Sequence, residues 1–194
     1  MGLLYVYNPT GDVTEITDAD YPARHFAYDN LARLCGGSYD GAGGSGQCGD
    51  AAYELAYGYD GTGNLVNKAG TTLAYFPHGT AQPHAVQSDG THVYEYDQNG
   101  NMVTQQPSGG GSTVATYIWT ADNSLASVNI SGEGVSSFSY DADGTLVKET
   151  AADGTVTYYV GVYYEVQPVT GIITRYILVG GQQVASPALR ACAV

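Results

Sequence analysis

Aromatic residues recur two apart along this chain, and each pair is followed by a polar residue, two variable residues, a small residue, one more variable residue and an aliphatic side chain. Six stretches carry the pattern: Tyr5-Val6-Tyr7 to Val13, Phe26-Ala27-Tyr28 to Leu34, Tyr57-Gly58-Tyr59 to Leu65, Tyr94-Glu95-Tyr96 to Met102, Tyr117-Ile118-Trp119 to Leu125 and Phe138-Ser139-Tyr140 to Leu146. Side chains two apart on a strand share a face, so Tyr7, Tyr28, Tyr59, Tyr96, Trp119 and Tyr140 belong to aromatic rows. The next residue is Asn8, Asp29, Asp60, Asp97, Thr120 or Asp141, whose side-chain oxygen can accept backbone N–H groups further on and start a turn. Gly11, Gly63, Gly100 and Gly144 fall where such a turn needs a positive φ; Asn123 is the next-best residue there, and Ala32 is expected to be strained or differently turned. The closing aliphatic residue opens a returning strand, so each copy predicts one β-hairpin.

A lone hairpin is marginal in water, so the copies are expected to stack, with aromatic contacts between neighbours locking their register. The second aromatics are 21, 31, 37, 23 and 21 residues apart, and the two long intervals hold a Gly-rich insertion at 41–46 and a stretch from Tyr75 to Gly90. After Leu146 the pattern changes to strand-like runs at 155–166 and 172–179. The predicted organisation is six hairpins over 1–150, a terminal stranded cap over 151–189 and a disordered tail over 190–194. The predicted fold class is all-β, stacked antiparallel hairpins in a curved or spiral open sheet.

Composition agrees: 18 Tyr and 27 Gly with 2 Met and 3 Phe favour strands and turns over helices. Nineteen acidic residues against six basic ones give a net charge of -13, which repels a phosphate backbone and excludes nucleic acid as a partner. No apolar run is long enough to span a membrane as a helix, and the N-terminus lacks the pattern of a signal peptide. A chain that opens inside a repeat is expected to be a piece of something longer. Three cysteines cannot complete a disulfide framework; Cys35 and Cys48 bracket the Gly-rich insertion and either clamp its base or remain two thiols, and Cys192 falls in the expected tail.

These residues resemble the YD-repeat family of Rhs elements, insecticidal toxin-complex subunits, bacterial wall-associated proteins and teneurins. Pro83-His84-Ala85-Val86 followed by Tyr94-Glu95-Tyr96-Asp97-Gln98-Asn99-Gly100 is similar to the central repeat of bacterial members. Tyr158 to Val166 and Arg175 to Ala185 are similar to the end of the repeat region. The resemblance spans residues 1–186 and implies hairpins that coil into a strand-lined shell, often around a C-terminal toxin. Six copies are few for a closed shell, and no Asp-Pro dipeptide of the family's self-cleaving boundary occurs. Neither the autoprotease nor the cargo is carried over.

Chemistry-bearing motifs are sparse. Gly44-Ser45-Gly46-Gln47-Cys48-Gly49 and Gly41-Ala42-Gly43-Gly44-Ser45-Gly46 fit G-x-G-x-x-G, but no helix is expected to follow either, so both read as flexible loop. Asp141-Ala142-Asp143-Gly144 and Asp97 to Asn101 cluster oxygens in the manner of a weak calcium loop, without the distal Glu; turn chemistry explains them as well. His25, His78, His84 and His92 form no metal-ligand spacing, no C-x-x-C is present, and no cofactor is expected. No nucleophile with a base and an orienting group can be read, so the chain is expected not to be an enzyme. The expectation is a secreted or cell-surface structural segment that self-associates or joins neighbouring repeats. The alternative is a module that grips a glycan or a cell-surface receptor with exposed tyrosines.

Overall fold

The computed structural model describes residues 2–39, 41 and 43–190, and among them there is no helix. Two compact units divide between Thr91 and His92. In the first, β1 (Leu3–Tyr7), β2 (Val13–Asp18), β3 (Tyr21–Tyr28), β4 (Leu34–Ser38), β5 (Leu55–Tyr59), β6 (Leu65–Lys68) and β7 (Thr71–Thr72) lie side by side in chain order, all antiparallel. A short hairpin of β8 (Ala74–Tyr75) and β9 (Val86–Ser88) follows.

The second unit is a meander of β10 (His92–Tyr96), β11 (Met102–Pro107), β12 (Ala115–Trp119), β13 (Leu125–Ile130), β14 (Gly134–Tyr140), β15 (Leu146–Thr150), β16 (Val156–Val160), β17 (Tyr164–Gln167) and β18 (Ile172–Arg175). The chain then leaves this sheet for a separate hairpin, β19 (Ile177–Val179) and β20 (Gln182–Ala185), and returns as β21 (Ala188–Arg190) against β18. The sheet passes through residue 150 without interruption, since β15 pairs with β16. Arg190 ends β21 opposite Ile172 instead of opening a disordered tail; positions 191–194, with Cys192, lie outside the described residues.

Each of the six sequence copies is one antiparallel hairpin of an open sheet. Their turns share one geometry. In the first, the Gly11 N–H donates to the Asn8 carbonyl at 3.0 Å and the Asn8 N–H to the Asp12 carbonyl at 2.9 Å. The same two bonds recur at 29–33, 60–64, 97–101, 120–124 and 141–145. The residue two before the returning strand sits at φ 92° in Gly11 and Gly63, 89° in Gly100 and 78° in Gly144. Asn123 at 58° and Ala32 at 57° take the same conformation. Ala32 therefore keeps the shared turn and carries its strain, because a Cβ clashes with the following carbonyl in the left-handed region. A seventh such turn, Ala151 to Thr155 with Gly154 at φ 85°, joins β15 to β16 at the opposite end of the strands.

Burial is sparse. The accessible surface is 12328 Å², against roughly 8,800 Å² for a compact monomer of this mass. The one buried cluster is Ala27, Cys35 and Tyr53 among the described residues. A disulfide joins Cys35 to Cys48, and the segment it closes wraps the Tyr53 ring. A Cβ on Gly44 would fall 2.4 Å from that ring and one on Gly36 2.7 Å, so glycine is required on both sides of it. The Gly46 N–H donates to the Tyr53 hydroxyl at 3.0 Å. The insertion that reads as a flexible loop is thus seated on an aromatic side chain from the following segment.

Relieving the strained alanine of the second hairpin turn should stabilise the fold. Ala32→Gly is expected to raise unfolding free energy by about 0.5–1 kcal/mol, and Gly100→Val to lower it by at least ~1 kcal/mol, both read by urea denaturation.

Candidate functional site

Within each hairpin the strand register slips at one place, between the second aromatic and the residue before it: Val6/Tyr7, Ala27/Tyr28, Gly58/Tyr59, Glu95/Tyr96, Ile118/Trp119 and Ser139/Tyr140. Between hairpins the backbone ladder stops early. The last paired residue of the returning strand is Glu15, Gly36, Asn67, Thr104 or Ser127, in each case two beyond the closing aliphatic residue. The aliphatic carbonyl thus lies past the last backbone rung towards the next hairpin, and a buried carbonyl without a partner costs free energy.

An aromatic side chain from further along the chain completes it. The Tyr28 hydroxyl donates to the Val13 carbonyl at 2.9 Å, Tyr59 to Leu34 at 3.0 Å, Tyr75 to Leu65 at 2.9 Å and Tyr140 to Leu125 at 3.0 Å. The Trp119 indole N–H makes the same bond to Met102 at 2.8 Å. Ring contact was the expected lock between hairpins; the interaction that recurs from hairpin to hairpin is this hydrogen bond. Tyr7 stands apart: it is exposed on the edge strand β1, its ring stacked on Tyr5 at 6.5 Å, and its hydroxyl meets no described residue.

The turn acids secure the other end of each hairpin. Oδ1 of Asp29, Asp60, Asp97 and Asp141 each accepts two backbone N–H groups, from the residues two and four further on. Asn8 does the same, whereas the Thr120 hydroxyl accepts one, from Ser124. Hydrogen bonds that favour the charged form hold Asp29 and Asp97 below the usual carboxylate range, through the Arg33 and Asn101 side chains first. Asp60, bonded foremost by the Thr62 hydroxyl, is lowered to about 2. The turns that resemble a calcium loop therefore spend an oxygen of Asp97 and of Asp141 on their own backbone. Among the described residues no three His, Cys, Asp or Glu side chains are grouped to hold a metal ion.

Neighbouring turns also touch. The Asn99 and Asn101 amides donate to Asn123 Oδ1 at 3.0 and 2.8 Å. Arg33 pairs with Asp29 at 2.7 Å while its guanidinium lies 4.2 Å above the Tyr59 ring. Where the long interval follows the third hairpin, Asn64 does the joining: its amide donates to Asp60 Oδ2 and the Pro83 carbonyl, both at 3.1 Å, and its oxygen lies 2.6 Å from His84 Nδ1. Tyr53, Tyr75 and Asn64 are the residues that sequence reasoning missed. Tyr75 carried a faint signal, an aromatic ten residues beyond Leu65; the other two carried none, because their partners come from loops.

Beyond the sixth copy the acceptor changes. Tyr159 donates to Glu149 Oε2 and Tyr176 to Glu165 Oε2, each at 2.7 Å. Desolvation, then the Glu149 bond, pushes the Tyr159 phenol well above its ordinary range, and the Glu165 bond raises Tyr176. Desolvation is the first cause of the raised values of Tyr28 and Tyr75 as well.

These bonds set the pH window of the fold. A phenol raised in the folded state adds stability that is whole below its unfolded value of about 10 and is lost as pH climbs through the raised value. The lowered turn acids add stability that is whole above about pH 4 and is lost as pH falls towards 2. Thermal melts should fall on both flanks, the alkaline fall coinciding with phenolate absorbance near 295 nm. Tyr28→Phe and Tyr140→Phe should each cost about 1 kcal/mol in urea denaturation by stranding a carbonyl; an unchanged midpoint in both would show that the seam is not what couples the hairpins.

No protein-family profile matches the chain, and no curated protein matches it. Solved structures do. The Tc holotoxin pore of Photorhabdus luminescens aligns over 96% of this chain and 10% of its own at 18% identity, with a TM-score of 0.47. TcdB2-TccC3 without its hypervariable C-terminal region aligns over 90% of this chain and 12% of its own, at 12% identity and a TM-score of 0.47. TcdB2-TccC3 itself aligns over 98% and 13%, at 12% identity and 0.45. This chain spans about an eighth or less of the structures it is similar to.

Proposed function

We propose that this chain is a structural segment of a YD-repeat shell, extracellular or toxin-associated, and that it grows by adding hairpins edge to edge. One observation carries the reading: the edge strand β1 presents an unpaired side and an apolar surface. Leu3, Leu4, Tyr5, Val6 and Tyr7 are all exposed, and among the described residues β1 pairs only with β2. The second, third, fifth and sixth hairpins each donate their second aromatic to a carbonyl of the hairpin before. Tyr7 holds the same donor out, and no described residue receives it.

A bare, apolar edge is a template for another strand. The opposite edge of the same sheet, β7, is two threonines long, which is how a protected edge looks. In the second unit Val160, Val162, Tyr163, Val169, Ile177, Val179 and Val184 are exposed as well. A capping unit is expected to turn a polar face outward; this one offers apolar surface that neighbouring repeats or a second copy would cover. The disulfide accords with an oxidising compartment. No helix among the described residues is long and apolar enough to cross a membrane, which says nothing of strands. We read no catalytic role.

Self-association should therefore run through β1 and strengthen with salt, since the net charge of -13 opposes it and is screened over roughly 10 Å at 0.1 M. Light scattering at about 100 μM is expected to report dimers or filaments that grow between 0.05 and 0.5 M salt, at concentrations where strand addition competes with solvation. Val6→Lys, a charge on the exposed edge, should return the chain to monomer. A strict monomer at both salts, or a Val6→Lys variant that associates like its parent, would overturn the reading.

A further inference from the structure

The basic side chains of so acidic a protein are expected to find carboxylates, and Arg33 does so. Arg24 finds none among the described residues. It is half-buried in β3, opposite Ile16 of β2, and its side chain makes neither a hydrogen bond nor an ion pair with any described residue. Arg24 lines an open cleft of about 400 Å³ together with Asp18 at the end of β2, Tyr21 and Pro22 at the start of β3, and Tyr39 just beyond β4. That volume falls within the range of small-molecule sites.

Contacts within the chain support Tyr39 and Gly41. The Tyr39 ring meets Phe26 edge to face at 6.2 Å, and its backbone N–H donates to Glu54 at 2.9 Å. The backbone at Gly41 lies against Pro22, where an added Cβ would come within 3.5 Å of the proline ring. The Cys35–Cys48 disulfide closes the base of the segment that carries Tyr39 and Gly41. Tyr21 is 68% exposed and Tyr39 47%, an uncommon outlay of aromatic surface beside a cation. Asp18 gives Oδ1 to the Asp20 N–H at 3.1 Å, and Oδ2 is left to accept from outside.

We propose that this cleft binds a saccharide unit that bears a carboxylate. A guanidinium presents a planar fork that pairs with a carboxylate through two parallel hydrogen bonds. An exposed tyrosine face takes the apolar C–H face of a sugar ring, and the free oxygen of Asp18 accepts a ring hydroxyl. A carboxylate on a peptide side chain would use Arg24 alone and leave the tyrosines and Asp18 without a role. Repulsion by the net charge fades beyond roughly 8 Å at 0.15 M salt, so contact at Arg24 outweighs it. The site is independent of the hairpin seam and of β1.

Saturation-transfer NMR with methyl β-D-glucuronide, its methyl ester, methyl β-D-glucoside and N-acetylglutamate tests the assignment. Transfer from aromatic protons to the sugar ring is expected with the glucuronide, at least about tenfold weaker dissociation constants with the ester and the glucoside, and no ring-proton transfer with N-acetylglutamate. Arg24→Gln should weaken glucuronide binding by about tenfold or more, Tyr21→Ala by several-fold, and Arg175→Gln should leave it unchanged. Tyr21 is so exposed that its removal leaves folding intact, so a loss there reports the site itself. Equal binding of acid and ester, undiminished binding by both Arg24→Gln and Tyr21→Ala, tighter binding of N-acetylglutamate, or no transfer with any probe would overturn the proposal.

Discussion

A hydroxyl that reaches across to a carbonyl past the last backbone rung holds successive hairpins in place. Antiparallel pairing within a hairpin is local and needs only a turn, but pairing between hairpins is short here: two paired positions suffice for β4 with β5 and for β11 with β12. A ladder that brief would allow the hairpins to slip. Because the side-chain period of a strand is two, a slip by one residue would carry the aromatic to the other face and strand the carbonyl, so the hydrogen bond fixes register as well as adding energy. Trp119 in place of Tyr shows what is conserved in the chemistry of the seam, namely a donor at the tip of a flat ring.

The turn and the seam are linked through the same few residues. The acid that accepts two backbone N–H groups tightens the turn, the left-handed residue brings the strand back, and the closing aliphatic residue then presents its carbonyl to the next hairpin. Arg33 gathers several of these roles in one place, paired with Asp29 in its own turn and lying over the Tyr59 ring of the next hairpin. The result is a protein with little interior. Its accessible surface exceeds that of a compact chain of its mass by roughly two fifths. Its stability therefore rests on many shallow, repeated bonds, and much apolar surface stays exposed on its strands.

The long intervals show how such a sheet tolerates insertions. The disulfide-closed segment builds its own support by folding over Tyr53, which costs two positions their side chains, Gly36 and Gly44. The stretch after β7 lacks the turn that the six hairpins share; Tyr75 supplies the seam bond, and Asn64 ties the incoming loop to the preceding turn. In both places the seam is preserved while the chain between is free to vary.

The six hairpins, their turns, the left-handed positions and the all-β class were legible in the sequence because each depends on residues within about ten positions of one another, where alternation and turn chemistry act locally. Ala32 was legible as an exception for the same reason. The acceptor of each tyrosine was not, since the carbonyl that receives it carries no side-chain signature and lies one hairpin away. Nor were the seating of the insertion on Tyr53, the joining role of Asn64, the exposure of Tyr7 or the cleft beside Arg24. Those are decided by which strands become neighbours and where their ladders stop, and backbone groups that meet only in three dimensions leave no pattern along the chain.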